Sequence, residues 1–464
     1  MGTRYLFILI ALLLIGDLLI VNSSFTIAYF WLNFNSQFNS NDIRMSYLLY
    51  FNLSWFAAAA IIGLYTKNAV QEIETIYAKS WRSIVAHVLV LCCFLFYHNS
   101  SSIRQFLLVT FLLELVGFIV SRFIITAFEE YHHRMTRFKK TIAIVGYNTI
   151  GIKLAEYFKQ NKMSYNFAGF VDYDNHLPQH HLYQTCTVPA FSDFVVKNDV
   201  KEVYSTIFPD TNNVQLKAII DVAELNCVRV KFVADKNEPV DTDLYLENYI
   251  GNMQVMNFRT EPLELFKNQL FKRLFDILFS LTVIVFIFSW LIPIIALLIK
   301  IDSKGSVFFL QNRAGKDNKP FKIFKFRTMS VTEADKEYIQ ATKNDSRITK
   351  IGAFLRKSSI DELPQFINVL LGTMSVVGPR PHPLKLNDEY MSIVDKYMVR
   401  HYSKPGITGW AQVNGYRGET YKHSLMIKRV EHDIFYIENW SMMLDARIIA
   451  LTLWNMIKGE DNAF

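Results

Sequence analysis

At 464 residues, of which 51% are hydrophobic, the chain is too long for one ordinary domain and apolar enough for part of it to lie in lipid. Its formal charge of +7 would suit nucleic acid, anionic lipid or phosphorylated substrates alike, so only the placement of the charge can decide. The four cysteines, Cys92, Cys93, Cys186 and Cys227, have no CxxC spacing and indicate neither a disulfide framework nor a zinc site.

Four apolar stretches open the chain: Leu6 to Val21, Tyr47 to Tyr65, Ile84 to Tyr97 and Phe106 to Phe128. Each is a candidate membrane helix, although the third is short and the fourth carries Glu114 and Arg122. The first is not read as a cleavable signal, because no small-residue cleavage site follows it and further apolar segments do. Lys67, Lys79 and Arg82 follow the second stretch, and Arg134, Arg137, Lys139 and Lys140 the fourth, against only Arg44 and Arg104 in the other loops. Basic loops stay in the cytoplasm, so both termini are expected there.

From Lys140 strands and helices alternate. Strands are predicted at Thr141 to Val145, Phe167 to Val171, Val203 to Ile207 and Val228 to Val233, with a helix near Leu216 to Leu225, which reads as a Rossmann-like parallel sheet. The first turn, Gly146-Tyr147-Asn148-Thr149-Ile150-Gly151, has Asn148 where a second glycine would let the backbone approach a pyrophosphate. Asp172 is placed to be a ribose-binding acid, but the degraded turn favours a structural or regulatory domain over one that binds a nicotinamide cofactor. His176, His180 and His181 lack accompanying Cys or acidic ligands and read as a polar loop.

The segment Ile277 to Ile299 has no charged residue and, at about 1.5 Å per residue, is long enough to span a bilayer. Lys272 and Arg273 precede it and Lys300 and Lys304 follow it, so the usual charge asymmetry is missing. Pro293 interrupts the hydrogen-bond ladder from within, which suggests a bent segment entering and leaving by the same face; the alternative is a fifth, proline-kinked span.

Clusters of basic residues, glycines and prolines follow. At their centre Arg356-Lys357-Ser358-Ser359-Ile360-Asp361-Glu362-Leu363-Pro364-Gln365 leads into the apolar run Phe366 to Leu371, with Gly372 as C-cap. Pro364 belongs in a first helical turn, which puts Asp361 and Glu362 near a helix start. A capping box from Ser359 to Glu362 would explain both acids as helix stabilisers. Their company argues otherwise: Lys325-Phe326-Arg327 upstream, Arg356 beside them, and Pro379-Arg380-Pro381 downstream, where prolines fix the backbone around one guanidinium. Adjacent carboxylates among cations fit phosphoryl transfer assisted by Mg²⁺.

Five ordered motifs make the likeness specific: Gln311-Asn312-Arg313-Ala314-Gly315, Phe324-Lys325-Phe326-Arg327-Thr328-Met329, Asp345 through Asp361-Glu362-Leu363-Pro364-Gln365, Gly378-Pro379-Arg380-Pro381, and Lys404-Pro405-Gly406-Ile407-Thr408-Gly409-Trp410. From about Phe271 onward the chain resembles the monotopic phosphoglycosyl transferases, or bacterial sugar transferases, and with its preceding helices and middle domain it resembles their large four-helix subgroup. The resemblance implies a membrane protein of α plus α/β class. Residues 1–139 would form four transmembrane helices, 140–260 a degenerate Rossmann-like cytoplasmic domain, and 261–464 a mainly helical catalytic domain with a re-entrant helix at about 277–299.

It further implies transfer of a hexose 1-phosphate from a UDP-sugar, glucose or galactose, to undecaprenyl phosphate at the cytoplasmic face of a bacterial inner membrane, in exopolysaccharide, capsule or O-antigen assembly. Asp361 would be the nucleophile of a covalent aspartyl intermediate, Glu362 a base or metal ligand, and both would hold Mg²⁺. Arg356 and Arg380 would meet the lipid phosphate, with Arg313, Lys325, Arg327, Gln365, Pro379 and Pro381 completing the substrate site. The family's Ser-Pro pair at the bend is absent here, where Trp290 follows Ser289. A membrane-bound NAD-dependent nucleotide-sugar dehydratase is the alternative enzyme, but no tyrosine in the chain has lysine four residues later. A non-enzymatic membrane scaffold is the third reading. Nucleic acid is not expected as a partner, because the charge follows membrane boundaries and phosphate-type motifs; homodimerisation is left open.

Overall fold

The apolar stretches at the N-terminus become four helices, α1 (Thr3–Trp31), α2 (Asn41–Ile62), α3 (Ile73–Tyr97) and α4 (Ser101–Arg134). The computed structural model describes residues 3–31, 41–66, 69, 73–97, 101–134, 139–161, 165–172, 184–209, 214–236, 244–330, 345–416, 418 and 423–458. Lys67, Arg137, His176, His180 and His181 lie outside the described residues, as do the side chains of Arg44, Arg104 and Arg134. Among described residues, Leu9–Trp31, Glu74–Cys93 and Gln105–Ala127 are long and apolar enough to cross a membrane, as is Phe266–Asp302 further on; Tyr47–Ile62 is a shorter apolar helix. α2 stops before Tyr65 because Gly63 turns left-handed (φ +69°) and the amides of Gly63 and Leu64 close back on Ala60 and Ala59.

Among the described residues, the charges buried within these helices are paired. Arg122 of α4 forks Asp17 of α1, with Nη1 2.6 Å from Oδ1 and Nη2 3.1 Å from Oδ2, and donates through Nε to Ser80. Tyr65 donates to Asp17 and accepts from Trp55 Nε1. His87 Nε2 lies 3.3 Å from Glu114 Oε2, while its Nδ1 meets the Ser54 hydroxyl. Polar groups inside an apolar bundle persist only when they find one another, and Trp55 stacked on Phe118 at 4.2 Å closes the core around them.

The described chain divides into two compact units: Met1–Lys140 with Phe158–Asn166, and Thr141–Tyr157 with Phe167–Phe464. The border expected near residue 260 therefore falls inside one unit. Its first part, apart from Lys140, Phe158–Gln160 and Tyr165–Asn166, which fall in the first unit, is built on β1 (Lys140–Val145), α5 (Thr149–Gln160), β2 (Tyr165–Asp172), β3 (Thr185–Thr187), α6 (Phe191–Asn198), β4 (Glu202–Ser205), α7 (Val214–Leu225), β5 (Arg229–Asp235), β6 (Tyr245–Ile250) and β7 (Met253–Asn257). The sheet is mixed, in the order β3-β2-β1-β4-β5-β7-β6, rather than wholly parallel. β4 pairs parallel with both β1 and β5, but β7 runs antiparallel to β5 and β6. For β6 and β7 the reason is local: their link is a tight turn through Gly251 at φ +59°, and a parallel pair would need a long crossover.

The degraded glycine turn fills itself. Asn148 is an N-cap whose Oδ1 accepts the Gly151 amide at 2.8 Å and whose Nδ2 donates to Thr206, while Asp172 accepts the Tyr147 amide. Gly151 keeps a packing role, since a Cβ there would stand 2.5 Å from the Gly146 carbonyl.

The second part begins with a helical run of α8 (Phe266–Val283), a π-turn (Ile284–Phe288) and α9 (Ser289–Asp302). Pro293 lies inside α9 without ending it; the departure from α geometry comes one turn earlier, at the π-turn. There follow the antiparallel pair β8 (Phe308–Ala314) and β9 (Pro320–Phe326), then α10 (Lys350–Lys357), α11 (Gln365–Leu371), β10 (Ser375–Val377), α12 (Leu384–Tyr390), β11 (Gly406–Thr408), α13 (Trp410–Val413), α14 (His423–Glu438) and α15 (Met442–Lys458). One face of α8 is polar and buried. Lys272 Nζ lies 3.1 Å from Asp276 and 2.8 Å from Asp445, and Asp276 accepts the Ser375 hydroxyl and the Val376 amide. Leu270, Leu274, Leu278 and Leu281 on the same helix are exposed.

Breaking a buried ion pair by removing one partner costs about 3–5 kcal/mol. Arg122→Ala is therefore expected to lower the thermal unfolding midpoint of the N-terminal helices in detergent. Asp17→Asn combined with Arg122→Met should recover much of the loss, which circular dichroism on the detergent-solubilised chain would check.

Candidate active site

Asp361 and Glu362 stand on a short 3₁₀ turn, Ile360–Glu362, between two helices. Thr349 caps α10 through its hydroxyl, which accepts the Gly352 amide at 3.0 Å. α10 ends at Lys357 and α11 opens after Pro364 at its N-cap, as the proline's fixed φ favours. Gly372, at φ 85°, closes α11 by donating to the carbonyls of Asn368 and Val369. The Ser359–Glu362 capping box does not form: Ser359 is left-handed at φ 57° and makes no side-chain cap bond. A non-glycine residue in that region stores about 1 kcal/mol or more, here immediately beside the acid pair.

Glu362 reaches cations instead. Its Oε1 lies 2.7 Å from Lys325 Nζ of β9 and 2.7 Å from Arg380 Nη2, and its Oε2 lies 3.1 Å from Arg380 Nη1. Arg380 thus forks the carboxylate, the geometry that gives guanidinium its directional strength. Its backbone is held at every step. The carbonyl of Pro379 accepts from the Gly406 amide, that of Arg380 from Arg400 Nη2, that of Pro381 from Arg313 Nη1, and that of His382 from the Ala314 amide. Gly378 is required just before, since a Cβ there would stand 2.4 Å from the Lys404 carbonyl where β10 meets the Lys404–Gly406 chain.

Burial raises the Asp361 carboxyl to about 6; the nearby Glu362 charge adds to this, while Lys325, Arg356 and Arg380 oppose it. Burial pulls the Lys325 ammonium below its ordinary value against the attraction of Glu362 and Asp361. For Arg380 the same burial is outweighed by Glu362, and its pKa rises. Behind the loop, His382 is held well below its usual range by burial and by Arg400 and Arg429, so its imidazole is neutral at physiological pH.

Lys325 and Arg380, the latter between Pro379 and Pro381, meet the acid turn, and Arg356, half-buried at the end of α10, acts on the charge of Asp361 from close by. Arg313 contributes by bracing the loop. Arg327 is engaged elsewhere: it is buried and its guanidinium donates to the carbonyls of Ser303 and Lys304 past the end of α9, a helix C-terminal cap. Gln365 is buried as the first residue of α11.

Sequence reading missed the charges behind the loop. Arg400 pairs with Asp433 at 2.8 Å, and Arg429 donates to the carbonyls of Tyr416 and Gly418. A signal existed: Arg429 and Asp433 share the helical stripe of Met426, Val430, Tyr436 and Ile437, where charge is out of place unless paired.

Among the described residues no cluster of three or more His, Cys, Asp or Glu forms a metal cage of protein groups alone. The donor set that fits Mg²⁺ is the acid pair, because this ion takes hard oxygens, one or two carboxylates, and completes its shell with water and substrate phosphate. Both Glu362 oxygens are engaged by cations, whereas Asp361 makes no side-chain hydrogen bond among the described residues and is the open carboxylate.

Chemistry that uses the ionised Asp361 should gain rate as pH rises through about 6. Lys325 stabilises that charge, so Lys325→Met is expected to move the acid limb of the pH–rate profile upward by about one unit. An unchanged limb in the residual activity would mean that the ammonium does not act on Asp361.

A family profile described as bacterial sugar transferase matches residues 267–459. Over 439 residues the chain is 36% identical to a UDP-glucose:undecaprenyl-phosphate glucose-1-phosphate transferase of Klebsiella pneumoniae, covering 87% of this chain and 89% of that one. It is 36% identical over 366 residues to the protein of the same name from Xanthomonas campestris pv. campestris, covering 75% and 73%. Identity reaches 53% over 187 residues, 40% of each chain, with that of Escherichia coli (strain K12). The chain belongs to the bacterial sugar transferase family and is an enzyme of that family.

Proposed function

We propose that the protein transfers glucose 1-phosphate from UDP-glucose to undecaprenyl phosphate, releasing UMP. The observation that carries this reading is the pairing of an open, buried carboxylate, Asp361, with a neighbour whose charge is already matched by Lys325 and Arg380. An Asp361 oxygen attacks the phosphorus that bears the sugar. The bond to the bridging oxygen breaks and UMP leaves, giving an acyl phosphate on Asp361. An oxygen of the lipid phosphate then attacks the same phosphorus, Asp361 departs as a carboxylate, and the lipid diphosphate sugar is formed. The acyl phosphate keeps much of the free energy of the original diphosphate, so the second step can be nearly balanced.

Asp361 and Glu362 would hold Mg²⁺, whose charge neutralises that developing on the leaving phosphate. Lys325 and Arg380 orient Glu362 and supply cations for phosphate oxygens; Arg356 adds a third for the lipid phosphate.

The Phe266–Asp302 run supports a segment that dips into the membrane without crossing it. Near its start Lys272 and Asp276 are fixed to Asp445 and Ser375, and at its end Asp302 accepts the Ile351 amide while Ile295 and Ile299 pack with Phe326 and Leu355. Both ends are held by the same polar body, and the exposed face between is apolar. The active site would then lie on the cytoplasmic side with both chain termini. The middle domain reads as a Rossmann-like fold that has given up its cofactor. Asn148 and Asp172 occupy amides that a pyrophosphate would need, which removes the support for an NAD-dependent dehydratase.

Three measurements test this. In a single turnover with labelled UDP-glucose and no lipid, the wild type should release UMP and carry label on Asp361. Asp361→Asn should fold and do neither; product at near wild-type rate from that variant would replace the covalent route with direct lipid attack. A panel of UDP-glucose, UDP-galactose and UDP-N-acetylgalactosamine should show the highest rate with the first. Calorimetry with NAD should give no heat of binding, and micromolar affinity lost on changing Gly146 would restore the cofactor reading.

A further inference from the structure

Among its contacts with the catalytic part, the middle domain meets the 3₁₀ helix Tyr397–Tyr402. The turn that leads into β5 supplies the contacts. Cys227 is buried in a cluster with Tyr397, Met398, Val399 and Tyr402. The Val228 carbonyl accepts the Tyr402 hydroxyl at 3.2 Å. Arg229 lies with its guanidinium carbon 4.5 Å over the Tyr402 ring, donates to the Tyr402 carbonyl, and is itself oriented by Glu261 at 2.9 Å.

The same six-residue segment carries two side chains that run to the active-site loop. Arg400 donates to the Arg380 carbonyl at 2.7 Å and lies against His382. His401 joins the Gly315 carbonyl at 2.9 Å and Asn387 at 2.8 Å, fixing the end of β8 from which Arg313 and Ala314 hold Pro381 and His382. Two routes therefore converge on the backbone around Arg380, the residue that forks Glu362. Neither Arg229 nor Tyr402 has a contact with Asp361 or Glu362.

We propose that Arg229 and Tyr402 are positioning residues through which the middle domain holds Arg380 on Glu362. Arg229 clamps Tyr402, the clamp fixes the register of the segment, and the segment fixes the loop. This gives the middle domain a mechanical role in the transfer reaction without a ligand of its own, and it rests on geometry within one compact unit.

The test uses the full chain in detergent. Hydrogen–deuterium exchange without substrate reads the loop directly: Arg229→Ala should speed exchange at the amides of Gly378, Gly406 and Ala314, which bond Thr408, Pro379 and His382, as should Tyr402→Phe, which removes only the bond to Val228. With UDP-glucose and undecaprenyl phosphate, Arg229→Ala should lower kcat about tenfold, in the range expected for residues that act through packed neighbours, and leave the donor KM nearly unchanged. Arg229→Lys, which keeps a cation over the ring, should recover part of kcat. Lys236→Ala, just past the end of β5 and away from the contact, should behave as wild type. Unchanged exchange at the loop in both Arg229→Ala and Tyr402→Phe overturns the proposal, as does a loss of kcat that merely follows the unfolded fraction. The exchange result is independent of the donor, so an inactive assay would count against the proposed function and not against this relay.

Discussion

The candidate active site is built around the carboxylate of Glu362. It is 7% exposed, and it joins a lysine from a strand to an arginine from a loop that lies remote from it in sequence. Removed, it would leave the partly buried Lys325 and Arg380 without the carboxylate they bond; without them it would be an unpaired buried charge. That mutual requirement draws β9, the acid turn and the Pro379–Pro381 loop to one point. It also leaves Asp361 unbonded beside a neutralised neighbour, with its charge stabilised by cations it does not directly bond.

The same logic recurs wherever the chain places charge among apolar groups. In the N-terminal helices Arg122 and Asp17 tie α4 to α1, and in the second unit Lys272, Asp276 and Asp445 tie the apolar Phe266–Asp302 run to α15 and β10. Apolar contact alone would tolerate sliding of a helix by a turn. A buried ion pair with fixed hydrogen bonds does not, so each such pair selects a register at a point where hydrophobic packing is permissive.

The middle domain contains a glycine turn that its own side chains fill. Gly146 and Gly151 keep the conformations the turn demands, at φ +96° and in contact with the Gly146 carbonyl. Asn148 and Asp172 have taken over the hydrogen bonds at the mouth. The domain meets the catalytic part at Cys227 to Arg229.

The sequence by itself determined the apolar helices, four of the strands, the helix start at Pro364, the Gly372 cap and the motifs that make up the site. Those are features of local conformation and hydrophobic period, written within a few residues of one another. It also carried the replacement at Asn148. Tertiary structure alone decided the rest. Whether Ser359 and Glu362 close a capping box depends on cations from Lys325 and Arg380, which are far away in the chain. That Arg327 caps a helix end while Lys325, two residues earlier in the same motif, faces the acids follows from the strand ending at Phe326, past which the chain runs to the end of α9. Which part of the sheet turns antiparallel, and which buried charges brace the Arg380 loop, depended on contacts between distant segments. Sequence periodicity marks such residues as buried, but their partners are fixed only when the chain closes on itself.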